Sequence, residues 1–501
     1  MVAHNRFPAP TFGAPGVRLP GRAGHSMGDG LMHTWLVRHL LLPWHERLKG
    51  KSTFTWLPRL ERTQWLSPEQ PAELQWSRLL ESLQFAYDHV PYYRRLLDEH
   101  ELTPPRVQSP ADFARIPPLT RQAIRANFDD LRARGRLRGV RKCSSGGSTG
   151  APVTILTDMD QMGFTEAVRL RAHRWFDVQS GAREVCLWGS PIELTKQDRL
   201  RSLRDWLLNS RVLSAFDMDA SRLAAYARFI TRFRPEKLYC YAHAAYLFAR
   251  YAARVAWTPP SSLRAVFTTA ETLFDFQRRA IRDALGVPVA VEYGARDAGL
   301  MATECPKGSL HIPAEGMHIE IDRAGSDGLG EIVATNLYSA AMPIIRYRTG
   351  DLGEVGSRPC PCGRGLPSFK RLEGRRGDFL VTPAGRILHG QSIVHALRTM
   401  TTIDEFQVVQ EAVDRVVISV VPSAGFSESD RQFLIDRARL LLGPHTAIAV
   451  ETMPVIPRLS SGKFRHVISH VADTYLDRIM AGSGPRASSP ATSSVDGAAR
   501  S

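Results

Sequence analysis

Long apolar runs are missing from this chain of 501 residues. No stretch approaches the roughly 20 apolar residues of a membrane span. The best attempt, Trp35 to Trp44, is broken by Arg38 and His39 and closed by Pro43. It also lacks a small-residue cleavage site, which argues against a secretory signal. Cysteine is scarce: six in so long a chain make no disulfide framework, so a reducing compartment, the cytoplasm, is the expectation. Acid is short too, since 65 Lys+Arg against 50 Asp+Glu leave a formal charge of +15. That excess admits nucleic acid, an anionic membrane surface or anionic small molecules as partners. Nucleic acid is disfavoured. The densest basic run, Arg121–Lys142, has eight basic residues and two acids but neither aromatic interleaving nor a recognisable module.

Hydrophobic residues at 43% are enough for a sizeable core, and the length suggests two to four domains. Apolar runs bounded by Gly or Pro (Pro152–Leu156, Ala265–Thr269, Val287–Glu292, Gly330–Thr335) read as strands. Ala220–Phe233 and Phe274–Leu285 between them have helical spacing. The expected fold class is therefore α/β, with partly parallel sheets. Beyond Gly374–Gly377 the strand-like Phe406–Val409 and Val416–Val421 precede a helical Glu428–Leu442, an α+β unit of its own. The domains expected are a flexible basic leader 1–50, a large body 51–376, a small unit 377–480 and a disordered tail 481–501. The leader could also be upstream sequence if translation starts at Met27.

Five segments have the residue types of nucleotide chemistry. Ser144-Ser145-Gly146-Gly147-Ser148-Thr149-Gly150 lets backbone and hydroxyl donors approach a phosphate, although no Walker lysine follows. A plain flexible turn is the ordinary reading of such a loop. Glu292-Tyr293-Gly294-Ala295-Arg296-Asp297 ends an apolar run with an aromatic that can stack on a base and a carboxylate that can hold a cation. Asp351, closing Ile345–Asp351, could accept from two ribose hydroxyls. Arg371–Arg375 and Pro457–Arg465, the latter containing Lys463, complete the series. Each alone could be a surface turn.

Together and in this order they resemble the adenylate-forming superfamily, most closely its phenylacetate-CoA ligase and CapK-like branch. His89-Val90-Pro91-Tyr92-Tyr93-Arg94 and Ile116-Pro117-Pro118-Leu119-Thr120-Arg121 are similar to that branch's N-terminal elements, and the resemblance covers roughly residues 55–475. It implies a large α/β domain with a small mobile α+β lid. It further implies that Ser144–Gly150 grips the β- and γ-phosphates of ATP, with Thr149 near Mg²⁺, and that Ala270 and Glu271 lie along adenine and α-phosphate. Tyr293 would stack on adenine beside Gly294, Asp351 would hold the ribose and Arg371 would support the nucleotide. Lys463 and Asp297 would act at the reacting phosphate or its metal, with Tyr241, His243 and Trp188 in the acyl pocket. The implied activity is ATP-dependent activation of a carboxylic acid to an acyl-adenylate, then transfer to coenzyme A. The alternatives are transfer to an amine, hydroxyl or carrier thiol, and a degenerate nucleotide-binding protein.

The departures from the family pattern are Asp297 for the usual Glu, Ala151 for a common Lys, Gly377 for a common carboxylate, and Tyr241-Ala242-His243 for a common Tyr-Pro-Ser. Cys305, His311, Cys360 and Cys362 make a Cys₃His donor set suited to tetrahedral structural zinc, with buried free thiols as the plainer reading. Similar sets occur in the CapK-like branch. The acid is left open, and a homodimer is allowed.

Overall fold

The computed structural model describes residues 27–475, apart from 136–138, 145–152, 189–197, 216–217, 323–327, 357–358, 376–378, 398–399, 401, 459–462 and 473. An 11-stranded mixed sheet forms the spine of the body. Five of its strands are parallel neighbours: Val289–Ala295, Ala265–Thr269, Lys237–Tyr241, Glu184–Trp188 and Ser210–Ser214. On the other side of Val289–Ala295 the pairing turns antiparallel, starting with Gly299–Glu304 and continuing through Leu310–His311, Ser368–Arg375, Ile344–Gly356, Gly330–Asn336 and Met317–Asp322. Strands covered on both faces need apolar side chains on both, and Ala265–Phe267 and the whole of Gly330–Asn336 are buried.

Helices alternate with the parallel strands and bury one stripe each. Ala220–Phe233 is capped by Asp219, whose carboxylate accepts from Arg222 N, and it buries Leu223, Ala227 and Ile230. Asp275–Leu285 ends at Gly286 with φ +66°, the left-handed conformation that glycine adopts without strain. These helices pack with Val185, Leu187, Leu238 and Phe248 into one core. A second core lies under the antiparallel strands, where Leu79 and Leu83 of the helix Glu69–His89 meet Ile332, Ile344 and Tyr347. Pro91 is the first residue of the next helix, Pro91–Glu99, where its missing N–H costs nothing.

A separate four-stranded sheet, ordered Ala447–Thr452, Arg415–Pro422, Ile403–Ala412 and Val467–Ser469, packs against the helices Glu428–Leu442 and Gly390–Leu397. Its core of Val408, Ile418, Leu434 and Ala438 is its own, and Phe274 and Phe276 from the body lean on it. The leader expected to end at residue 50 does not stay irregular. Met27–Leu48 is helical, held to the body where Val37 is fully buried and Arg38 donates to Ser180 O at 3.2 Å. Among the described residues no helix is long and apolar enough to cross a membrane.

Candidate active site

Three adjacent parallel strands end at one edge of the sheet, so the residues that follow or finish them converge. His243 follows Lys237–Tyr241, Ala270 and Glu271 follow Ala265–Thr269, and Tyr293 and Gly294 finish Val289–Ala295. The last of these is the strand where parallel pairing becomes antiparallel, the position at which open α/β sheets leave a crevice. A cavity of about 320 Å³ lies there, lined by all five of those residues, by Asp351 from an antiparallel strand, and by Lys463–Val467 from the small unit.

Tyr293 OH donates to Asp351 Oδ2 at 2.8 Å, joining two motifs 58 residues apart on one cavity wall. Gly294 has no room for a side chain, because a Cβ there would sit 2.7 Å from Gly299 O. Ala270 takes φ +71°, a strained value for an alanine and one that tends to gather at functional sites. Glu271 is enclosed. One carboxylate oxygen accepts from His243 N at 2.8 Å and the other from Phe464 N at 2.6 Å, and burial pushes its pKa up.

Phe464 belongs to the small unit, so the Glu271 carboxylate spans the seam. Along that seam the His243 and Phe464 rings stack at 4.1 Å, and the Arg458 guanidinium lies 4.4 Å from the Phe464 ring centroid. Arg458 also donates to Glu405 at 2.8 Å, while His243 Nε2 stands 3.7 Å from Glu405, near enough to bias it and too far for a hydrogen bond. Burial would raise Glu405, but His243 and the Arg458 guanidinium beside it hold it down to about 2. Neither ring nitrogen of His243 makes a hydrogen bond among the described residues, although the residue is buried.

On the opposite face of the same strand, Glu292 accepts from Arg169 at 3.2 Å, Tyr239 at 2.9 Å and His173 at 2.9 Å. Lys237 Nζ stands 3.0 Å from His173 Nδ1 and can only donate, so the imidazole is neutral with its proton on Nε2, facing Glu292. Burial lowers His173 first and the Lys237 charge lowers it further. Trp188 stacks beside this network, its ring 4.2 Å from Tyr241 and 5.7 Å from Tyr239.

The other expected site residues fall as follows. Ser144 is at the end of a two-stranded hairpin, and its carbonyl accepts from Arg296 at 3.1 Å. Ser145, Gly146, Gly147, Ser148, Thr149 and Gly150, like Gly377 and its neighbours Arg376 and Asp378, lie outside the described residues. Asp297 is buried, accepts from Tyr347 OH at 2.6 Å and stands 3.7 Å from Arg121 Nε. It is not among the cavity-lining residues, and neither is Arg371, which pairs with its cross-strand neighbour Glu354 at 2.7 Å. Sequence reasoning passed over Gln277, Arg278, Glu304 and His466, all of which line the cavity. Their spacing carries no motif: Gln277 and Arg278 come in on the helix Asp275–Leu285, Glu304 on the strand Gly299–Glu304 and His466 from the small unit.

The four expected metal donors do converge. Ligand atoms of Cys305, His311, Cys360 and Cys362 all lie within 4.8 Å of one another. Cys305 Sγ and Cys360 Sγ are 3.7 Å apart, close to the ~3.8 Å that tetrahedral zinc at about 2.3 Å from each sulfur imposes. Cys362 Sγ is 3.2 Å from His311 Nε2, and His311 Nδ1 is 3.0 Å from Leu366 O, the arrangement that aims the free Nε2 lone pair at a metal. The donor set and its spacing fit the ion.

A body built on one mixed sheet, in which Tyr293 and Asp351 meet Lys463 of a smaller α+β unit across a strand-end cavity, has the architecture of an adenylate-forming ligase. The body and small unit together superpose on 2-hydroxyisobutyryl-CoA ligase in its postadenylation state with TM-score 0.66, at 19% identity, over 84% of this chain and 94% of that one. The chain's relatives are CapK and the phenylacetate-CoA ligases: it is 26% identical to Protein CapK of Staphylococcus aureus over 80% of this chain and 89% of CapK. It is 26% identical to the phenylacetate-coenzyme A ligase of Thermus thermophilus over 70% of this chain and 80% of that enzyme. Residues 380–470 match the CapK C-terminal domain.

Proposed function

We propose that the protein uses ATP with Mg²⁺ to activate a carboxylic acid as its acyl-adenylate, releasing pyrophosphate, and then transfers the acyl group to coenzyme A. One observation carries this reading. Lys463, from the small unit, faces the same cavity as Tyr293 and Asp351 of the body. Attack of a carboxylate on the α-phosphorus brings two anions together, forms a carboxyl–phosphorus bond and breaks the bond to pyrophosphate. A cation at that point offsets the charge as it develops. Tyr293 would stack on the base and Asp351 would hold the ribose, while Thr149 and Asp297 are the expected contacts of the magnesium–phosphate end. His243, Tyr241 and Trp188 would bound the acyl group.

The small unit, about residues 377–480, would act as the lid on a body ending near 376, its rotation exchanging Lys463 for the thiol's approach. All six cysteines are free, which suits a reducing cytoplasm. The Cys305, His311, Cys360 and Cys362 cluster would hold a structural zinc that ties the loop before Ser368–Arg375 to the end of Gly299–Glu304.

A pyrophosphate-release screen over carboxylic acids, with and without CoA, tests the reading. Release accompanied by thioester supports it. Release without thioester moves the acceptor to an amine, hydroxyl or carrier thiol, and no release with any acid leaves a nucleotide-binding protein. Lys463→Ala should lower adenylation about 10²–10³-fold with unchanged melting, as removing one preorganised charge donor does; wild-type rates in that variant would end the lysine's role. Gently purified protein should contain about one zinc per chain, and Cys362→Ser should lose most of it. Metal content near zero in wild-type protein would reject the zinc.

A further inference from the structure

The segment Trp35–Trp44 is not among the cavity-lining residues, yet it carries the most conspicuous apolar surface among the described residues. Met32, Leu36, Leu40, Trp44 and Leu48 recur at every fourth position of the helical stretch Met27–Leu48, each between 36% and 70% exposed. Side chains four apart drift about 40° per step around an α-helix. Here a π-helical turn, Val37–Leu41, sits mid-way and, being wider, turns less per residue and takes part of that drift back. The outward row stays a row. Val37 and Glu46 point the other way and are buried, which fixes the face that looks out.

A second helix extends the patch. Trp206 of Asp198–Leu207 has its ring 5.8 Å from His33, and Leu203 and Leu207 beside it are exposed. Of the exposed large apolar side chains among the described residues, most lie on these two helices, as do three of the four exposed tryptophans, Trp35, Trp44 and Trp206. Contiguous patches of this kind mark binding surfaces, whereas scattered exposed leucines do not. Charge selects the partner. Between Met32 and Lys51 the charged residues are Arg38, Arg47, Lys49 and Lys51 against a single acid, Glu46. That acid is buried and paired with Lys51 at 3.2 Å. Asp205 on the second helix is likewise paired with Arg204. Burial lowers Lys49 first, and the crowding cations Arg204, Lys51 and Arg141 lower it further, so a positive field borders the row.

We infer that Met32–Lys51 is an interfacial helix that docks the enzyme on an anionic lipid surface, lying in the headgroup plane with Leu36, Leu40, Trp44 and Leu48 inserted. Tryptophan and leucine at the boundary with cations beside them are what such a plane accepts. A second copy of the chain is the poorer occupant, because a two-fold contact would set the Arg47 and Lys49 rim against itself.

Flotation of the full-length protein with vesicles tests this. Wild-type protein should float with phosphatidylcholine vesicles containing roughly a third phosphatidylglycerol, less with phosphatidylcholine alone, and less at high salt. Leu40→Glu with Trp44→Glu should weaken the partition at least about tenfold. Arg47→Ala and Lys49→Ala, which leave the apolar row intact, should each weaken anionic binding about fivefold and neutral binding hardly at all. Absence of wild-type flotation on anionic vesicles would overturn the inference, as would equal binding by the glutamate variant. So would a wild-type dimer that the glutamate substitutions split, since the row would then be the contact between copies.

Discussion

Glu271 and Glu292 stand at the ends of neighbouring parallel strands, the first half-buried and the second buried, both beside a histidine, and they are held in opposite ways. Glu292 takes its three donors, Arg169, His173 and Tyr239, from one unit, the body. Burial would raise its pKa, but the Arg169 charge and those donors hold it down to about 2. Glu271 takes one donor from the body, His243 N, and the other from the small unit, Phe464 N. Its own pKa goes up on burial. Nothing in the Glu292 cluster changes if the small unit leaves, whereas half of the Glu271 cluster does. Around Glu271 also lie buried atoms that make no hydrogen bond among the described residues: both His243 nitrogens and Glu405 Oε2, which stands 3.7 Å from His243 Nε2. One cluster lies within the body and the other spans the seam, as the proposed lid over a two-step reaction would require.

Breaking the permanent cluster should cost most. Glu292→Ala leaves His173 and Tyr239 without their acceptor and Arg169 with Glu166 alone, and each unsatisfied buried donor typically costs about 1–3 kcal/mol. Denaturant unfolding should show that loss, and a change below about 1 kcal/mol would mean that water replaces the carboxylate. Glu271→Ala should act differently. The orphaned N–H groups of His243 and Phe464 recover water once the small unit swings away, so the body keeps its stability and the docked arrangement loses about 2–3 kcal/mol. Small-angle scattering should then report a more extended chain; a profile identical to wild type would show that Glu271 does not hold the seam.

Sequence patterns reached the permanent parts of the molecule more easily than the seam. Ala220–Phe233 and Glu428–Leu442 carry an apolar stripe and a capping residue, Asp219 or Ser427, so their bounds could be read directly. The Cys₃His set was legible because thiols and imidazole are few and chemically marked. Arg371 shows the limit: its motif is plain, but its partner Glu354 depends on strand register, which a linear reading does not contain. The Tyr293–Asp351 hydrogen bond and the cavity roles of His466 and Gln277 depend in the same way on which elements meet. The helix within the supposed leader was hidden by its composition, since its outward face is apolar and its buried contacts are few.

The smallest effect, and the sharpest on the seam, is its response to acid. His466 packs between Phe274 and Phe276 of the body and Phe406 and Phe464 of the small unit, with its Nε2 3.3 Å from Gln277. Burial lowers its pKa to about 3, with the nearby His243 and Arg458 lowering it further and Glu405 opposing. When the lid leaves, part of that burial goes, and the pKa returns toward the ordinary 6.5. Between the two values the open form binds a proton that the closed form refuses, so closure weakens as pH falls below about 6.5. At pH 5.5 the loss approaches about 1.4 kcal/mol, the worth of one pH unit. Glu271 works the other way, because its raised pKa lets the closed form take up a proton as pH falls. His466→Asn separates the two. Scattering at pH 7.5 and 5.5 should show wild-type protein opening on acidification and the variant not opening, and a variant that opens as far as wild type would transfer the response to another group in the seam.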